Sequence, residues 1–363
     1  MRPPPGRPKA GSLPLGGKAR SAKGAPVSPP PGRPKAGSLP LGAKSRSVAA
    51  IGIVGLGLVG RALAARALAG GYAVSGFDVS AAAAAAAQSI GVTLAADMAR
   101  LLAACSVVLV CVFDDDQLAD VVGQVATEAG RHSGSGHGLA LVINAATCSP
   151  RAIETAAASL ARHAIAFMEL PLSGSSVQIQ DGEALGLVGA ESAILASYRP
   201  LIDTLSPKRV HVGPPGSAAR AKLASNLVLG LNRAALAEGL ALAERLGLDG
   251  HRFLELLRQS PAYSRAVDTV GERMVARDFA PQSRLAQHRK DLSLILAQAA
   301  GLSQDLPLAL AHAGLLDRAI AMGLGDADNA AVIAALMPRR TDRHGEAAVD
   351  EDGDEPVDRI QHP

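Results

Sequence analysis

The chain has 363 residues, of which 48% are apolar and only 2% aromatic, with no tryptophan. That length suffices for two domains and a sizeable core, and so few rings exclude stacking on bases or sugars as the main mode of binding. The net charge of +3 averages unlike parts: residues 1–47 carry ten basic and no acidic residues, residues 341–363 carry eight acidic and two basic, and the body between holds 24 basic and 25 acidic. A nearly neutral body offers no broad basic face, so no nucleic-acid partner is expected. No apolar run reaches the ~18 residues of a membrane helix, so no membrane partner is expected either. The three cysteines, Cys105, Cys111 and Cys148, form no C-x-x-C pair and have no His cluster beside them. They read as buried free thiols in a reducing cytoplasm, with no metal site.

The first 47 residues contain a repeat. PPPGRPKAGSLPLGGKARS at 3–21 recurs at 29–47 with two substitutions and a period of 26. Dense Pro and Gly with nothing to form a core predict disorder. The segment lacks the apolar stretch of a secretory signal. It reads as a basic tether, a targeting peptide, or a duplication without function.

From Val48 the pattern changes. Strands are expected at 49–55, 72–77, 106–112, 139–144 and 164–169, separated by helices. The first helix spans 58–69; the second runs through the alanines 81–87, with Ser80 as its cap. Such alternation predicts a parallel sheet covered on both faces. After Val212 the strands stop. Helices are expected at 218–246, 249–259, 263–276, 284–300 and 307–322. The fold class is therefore α/β: a doubly wound parallel sheet over 48–212, then an all-helical domain over 213–337 entered by one long helix. Residues 338–363 read as a disordered acidic tail.

Gly55-Leu56-Gly57-Leu58-Val59-Gly60 follows the first strand and opens the first helix, the context that makes a G-x-G-x-x-G specific for a dinucleotide. Gly55 permits the turn, Gly57 lets a pyrophosphate approach, and Gly60 lets the helix pack closely. Asp78 ends the second strand, where a carboxylate can accept from ribose hydroxyls and would repel a 2′-phosphate. NAD is expected as cofactor in preference to NADP, with dual specificity as the alternative. The fourth strand runs into Val112-Phe113-Asp114-Asp115-Asp116-Gln117, which should border the nicotinamide. Its aspartates read as a solvated helix start. Thr147 offers a hydroxyl after the fifth strand, where Ser149 can cap a helix with Pro150 at its first position.

Pro171-Leu172-Ser173-Gly174-Ser175-Ser176 offers hydroxyls and backbone N–H groups suited to a substrate carboxylate. Lys222 and Asn226 lie four apart near the start of the long helix, on one face. A desolvated lysine there could serve as acid and base. Spacing alone favours a surface lysine.

Taken together these motifs resemble the β-hydroxyacid dehydrogenase family, which includes 3-hydroxyisobutyrate dehydrogenase and tartronate semialdehyde (2-hydroxy-3-oxopropionate) reductase. The resemblance covers about 48–337 and rests on GLGLVG at 55–60, PLSGSSVQIQDGEALGLVGA at 171–190, GSAARAKLASN at 216–226 and HRKDLSLIL at 288–296. It implies a Rossmann-type NAD-binding domain and reversible hydride transfer to or from a small carboxylic acid, a 3-hydroxyacid or its semialdehyde. It implies Lys222 as general acid/base, Ser173, Gly174, Ser175 and Asn226 on the substrate, and Lys290, Thr147, Val112, Phe113 and Gln117 on the cofactor with the glycine loop and Asp78. It also implies a homodimer or homotetramer. Departures from the family are Val59 for Met, Glu169-Leu170-Pro171 for Asp-Ala-Pro, and Ser175 for a glycine. Two other readings stand beside it: an imine reductase on the same scaffold, whose relatives usually lack the lysine, and a non-catalytic cofactor-binding interaction module.

Overall fold

The computed structural model describes residues 50–131 and 138–336. The expected disorder at 1–47 and 338–363 lies outside the described residues.

Strand β1 (Ala50–Val54) leads into helix α1 (Leu58–Ala69), then β2 (Ala73–Phe77), α2 (Ala81–Gln88), β3 (Thr93–Leu94) and α3 (Met98–Ala104). Ser80 caps α2, its hydroxyl accepting from the Ala83 N–H at 3.3 Å. Of that polyalanine helix only Ala87 is buried, so propensity and cap rather than packing hold it. There follow β4 (Val107–Val110), α4 (Asp115–Arg131), β5 (Leu141–Asn144), α5 (Pro150–Ala161) and β6 (Ala166–Glu169). The sheet runs β3-β2-β1-β4-β5-β6, all parallel. Residues alternate between its faces. Ile51, Ile53, Leu109 and Ile143 pack under α1, while Val54, Val108, Val110 and Val142 pack under α3, α4 and α5. Burying each such side chain stabilises the fold by about 1.5–3 kcal/mol. This is the doubly wound, Rossmann-type sheet.

The far edge departs from the parallel expectation. β7 (Leu172–Ser173), α6 (Ser176–Gln180) and β8 (Leu185–Gly189) follow, and β8 pairs antiparallel with both β6 and β7. The stretch between β7 and β8 is too short for a crossover, so the chain turns back on itself. After α7 (Ser192–Ser197) and α8 (Arg199–Leu205), β9 (Arg209–Gly213) adds parallel to β8.

The remainder is helical: α9 (Ser217–Arg245), α10 (Gly250–Arg258), a π-helical turn (Val267–Gly271) running into α11 (Glu272–Ala276), α12 (Leu285–Gly301) and α13 (Pro307–Ala321). A 3₁₀ segment, Asn329–Leu336, inserts Ala330–Ile333 into the core of this half. Its apolar run has neither period, so sequence periodicity does not reveal it.

Gly60 carries the closest approach of α1 to the turn beneath it. A Cβ there would fall inside the van der Waals envelope of the Gly55 carbonyl oxygen. Gly60→Ala should therefore cost about 2–3 kcal/mol in urea denaturation. Gly57→Ala, whose Cβ meets nothing within 4 Å, should leave stability within about 0.5 kcal/mol.

Candidate active site

β1 and β4 are neighbours whose connections leave to opposite sides, so a crevice opens at their carboxyl ends. The chain leaves β1 at Gly55 with φ +88°; a Cβ there would stand 2.5 Å from the Cys111 carbonyl oxygen. Gly57 is open toward the crevice and caps α1 without any side-chain hydrogen bond. With Leu58 and Val59 it lines the crevice wall. An uncapped helix N-terminus behind bare backbone fits a pyrophosphate. Leu56 is fully buried, and its N–H donates to Asp78 Oδ2 at 2.6 Å. The Ser80 N–H donates to Asp78 Oδ1 at 2.7 Å. Asp78 is thus fixed on the crevice rim, and each oxygen keeps acceptor capacity for a ribose hydroxyl.

The crevice deepens into a cavity of ≈ 580 Å³. Val112, Phe113, Gln117 and Thr147 stand on its wall. Gln117 is held in place: its Oε1 accepts from the Phe113 N–H at 2.9 Å, and its N–H donates to Asp114 Oδ1 at 2.9 Å. The three aspartates are structural here. Asp115 and Asp116 begin α4, and Asp115 Oδ1 accepts from the Ser149 N–H at 2.8 Å. Ser149 caps α5, with Pro150 at its first position.

The opposite wall comes from the helical half. Lys222 and Asn226 are only 6% and 5% exposed and line the cavity from α9. Lys222 Nζ donates to the Leu172 carbonyl at 2.6 Å. Burial pushes its ammonium down from 10.5 to about 8; Asp291 opposes that shift, and Arg233 and Lys290 add to it. Asn226 Nδ2 donates to Asp291 Oδ2 at 3.0 Å. Lys290, next along α12, lies 2.8 Å from Asp291 Oδ1 and donates to the Thr147 carbonyl at 2.6 Å. Its ammonium also sits 5.6 Å from the Phe113 ring centre. So Lys290 ties α12 to the loops after β4 and β5.

The loop after β6 divides its roles. Gly174, at φ +157°, lines the cavity; a Cβ there would stand 2.8 Å from that of Ala184. Ser173 is half-buried in β7. Ser175 is not on the cavity wall. It caps α6, its hydroxyl accepting from the Gln178 N–H at 3.3 Å while its own N–H donates to Gln178 Oε1 at 2.9 Å. The capping-box spacing Ser175-x-x-Gln178 carried this signal in the sequence.

Glu169 at the end of β6 is 1% exposed. Its carboxylate accepts from the N–H groups of Gly216 (2.5 Å), Ala219 (2.8 Å) and Ala218 (3.4 Å), capping α9 from across the fold. Burial pushes the carboxyl up to about 7, against the pull of those three amides. Sequence reasoning treated Glu169 only as a departure from the family. It also passed over Arg233, Gln287, His288 and Asn329, which line the cavity. For Arg233 a signal existed: Lys222, Asn226, Leu229 and Arg233 fall at i, i+4, i+7 and i+11, one stripe of α9.

Two family models match in succession. Residues 50–213 match the NAD binding domain of 6-phosphogluconate dehydrogenase, and residues 216–336 match the domain described as NAD-binding of NADP-dependent 3-hydroxyisobutyrate dehydrogenase. The chain belongs to the β-hydroxyacid dehydrogenase family. Nicotinamide dinucleotides are that family's cofactors. Among relatives, 2-hydroxy-3-oxopropionate reductase of Escherichia coli is 31% identical over 170 residues, 47% of this chain and 58% of that protein. Glyoxylate/succinic semialdehyde reductase 2 of Arabidopsis thaliana is 30% identical over 175 residues, 48% of this chain and 49% of that protein. The chain thus spans about half the length of these relatives. The solved 3-hydroxyisobutyrate dehydrogenase of Mycobacterium tuberculosis, with L-serine, superposes with a TM-score of 0.69 at 25% identity, covering 80% of this chain and 100% of that one.

Glu169→Ala should strip three buried amides of their acceptor. A loss of about 2–3 kcal/mol is expected in chemical denaturation, and unchanged stability would remove Glu169 as the cap of α9.

Proposed function

We propose that this protein catalyses reversible hydride transfer between a nicotinamide cofactor and a small 3-hydroxyacid or its semialdehyde, of the 3-hydroxyisobutyrate or 2-hydroxy-3-oxopropionate class. The observation that carries the reading is Lys222, a buried lysine with a lowered pKa, on the wall of the cavity that the glycine loop opens into. When bound, the nicotinamide ring accepts or returns the hydride.

Lys222 does the proton work. Neutral, its Nζ spends one N–H on the Leu172 carbonyl and keeps a lone pair to take the substrate hydroxyl proton. Charged, it returns that proton to the oxygen as a carbonyl is reduced. Asn226 commits one amide N–H to Asp291. Its other N–H and its carbonyl orient the reacting oxygen. Ser173 and the bare backbone of Gly174 hold the substrate carboxylate, with Ser175 fixing the turn behind them. Gly55, Gly57, Leu58 and Val59 hold the pyrophosphate, Asp78 the ribose, and Val112, Phe113, Gln117, Thr147 and Lys290 the nicotinamide side. The domain division near Gly213 belongs to the same proposal, and so does a homodimer or homotetramer. The helices beyond Gly216 expose Val228, Leu242, Leu256, Leu308 and Leu310, a set that a second copy would cover.

A lysine titrating near 8 sets opposite pH limbs for the two directions. Oxidation needs the neutral amine, so its kcat/KM should rise with pH and level off above about 8. Reduction needs the ammonium and should fall above the same value. Lys222→Met and Lys222→Ala should each lower kcat by about 10²–10⁴-fold, followed at the nicotinamide absorbance, while dinucleotide binding persists. Near-normal turnover in either variant would remove Lys222 from the chemistry.

With Asp78 on the ribose, NAD should bind at least about tenfold more tightly than NADP in a fluorescence titration. Asp78→Ser should narrow that gap, and equal binding by the parent would remove Asp78 as a discriminator.

A further inference from the structure

Arg233 points at the same cavity from the third turn beyond Lys222. Its Nε is buried and has no hydrogen-bond partner, and no carboxylate lies within ion-pair distance of it among the described residues. The nearest acid that acts on it, Asp328, is already saturated. Asp328 Oδ1 pairs with Arg273 at 2.9 Å and accepts from Ala330 at 3.1 Å, while Oδ2 accepts from Gln282 and Ser283, both at 2.9 Å. Asp291 is taken by Asn226 and Lys290. His288 and His312 share a hydrogen bond between their Nε2 atoms at 3.0 Å, so at least one of them is neutral and neither supplies negative charge. A half-buried guanidinium without a counter-charge is costly unless a ligand brings one.

We propose that Arg233 is a substrate-specificity residue that grips a second carboxylate, at the end of the substrate remote from the reacting carbon. The inference rests on the hydroxyacid dehydrogenase reading and narrows it to short-chain dicarboxylates. The planar guanidinium presents paired donors that match a carboxylate. Both residues line one cavity from the same stripe of α9, ~16 Å of helix apart, and the Arg233 charge acts on Lys222. Leu229 stands between Asn226 and Arg233 on the stripe, an apolar surface for a short methylene spacer. One carboxylate on the Gly174 turn, a reacting oxygen at Lys222 and a second carboxylate at Arg233 make three fixed points.

The test pairs 2-(hydroxymethyl)glutarate with 2-(hydroxymethyl)pentanoate, in which a methyl group replaces the distal carboxylate, using the full chain and NAD or NADP. The parent should favour the diacid by at least about tenfold in kcat/KM. Compared on the pH plateau of each enzyme, because losing the Arg233 charge also relieves its depression of Lys222, Arg233→Gln should raise KM for the diacid by about 10–100-fold with kcat nearly unchanged, and leave KM for the monoacid unchanged. Arg233→Lys should restore part of the loss. A binding arm needs no turnover: glutarate should raise the melting temperature of the parent but not of Arg233→Gln, and butyrate and inorganic phosphate should raise neither. No preference for the diacid, equal losses on both acids in Arg233→Gln, or a phosphate shift equal to that of glutarate would overturn the proposal. If neither acid is turned over while glutarate still separates parent from variant, the dehydrogenase reading fails and the dicarboxylate site stands.

Discussion

One buried carboxylate sets the frame of this molecule. Glu169 ends the last parallel strand of the main sheet and receives the first amides of α9. A helix N-terminus carries about half a positive charge, and inside a core it needs an acceptor. The strand end supplies it, so the long helix starts from a fixed point on the sheet. Lys222 lies within two turns of that point. Its height above the crevice follows from the sheet.

The two halves are stitched a second time at α12. Lys290 reaches the carbonyl of Thr147, and Asp291 holds Asn226. α12 can lie this close to α9 because Gly230 leaves room for His288; a Cβ at Gly230 would stand 2.5 Å from the His288 Nε2. The cavity wall carries two cationic groups, Lys222 and Arg233, beside the His288 imidazole and an Asp291 carboxylate already engaged by Asn226 and Lys290. Desolvation depresses both Lys222 and His288 there. The same surplus of positive charge favours an anionic guest. The proposed acid–base chemistry and anion selection would thus share a single electrostatic arrangement.

Much of this was readable from residue order. The glycine loop, five of the nine strands among the described residues, and the extents of α1 and α9 follow from period, caps and breakers, because those are local properties of the chain. The short strands near β8 were not readable: β8 sits in an antiparallel corner whose pairing depends on the turn through Gly174 and Gly182. The family resemblance puts Ser175 on the substrate, whereas in the structure it caps α6 and stands off the cavity wall. Its role depends on which way α6 leaves the loop, and Gln178 decides that.

Sequence by itself determined the dinucleotide loop, the alternation that builds the doubly wound sheet, and the stripe carrying Lys222 and Asn226. Each is a pattern within a single element, governed by backbone sterics and helical period. Only the tertiary structure decided that Lys222 is buried rather than solvated, that Glu169 pins the helix bearing it, and that Arg233 Nε has no hydrogen-bond partner among the described residues. Those facts depend on which groups from distant segments share one dry space. A charge's pKa and its need for a counter-charge are set by that surrounding and not by the residue's own position in the chain.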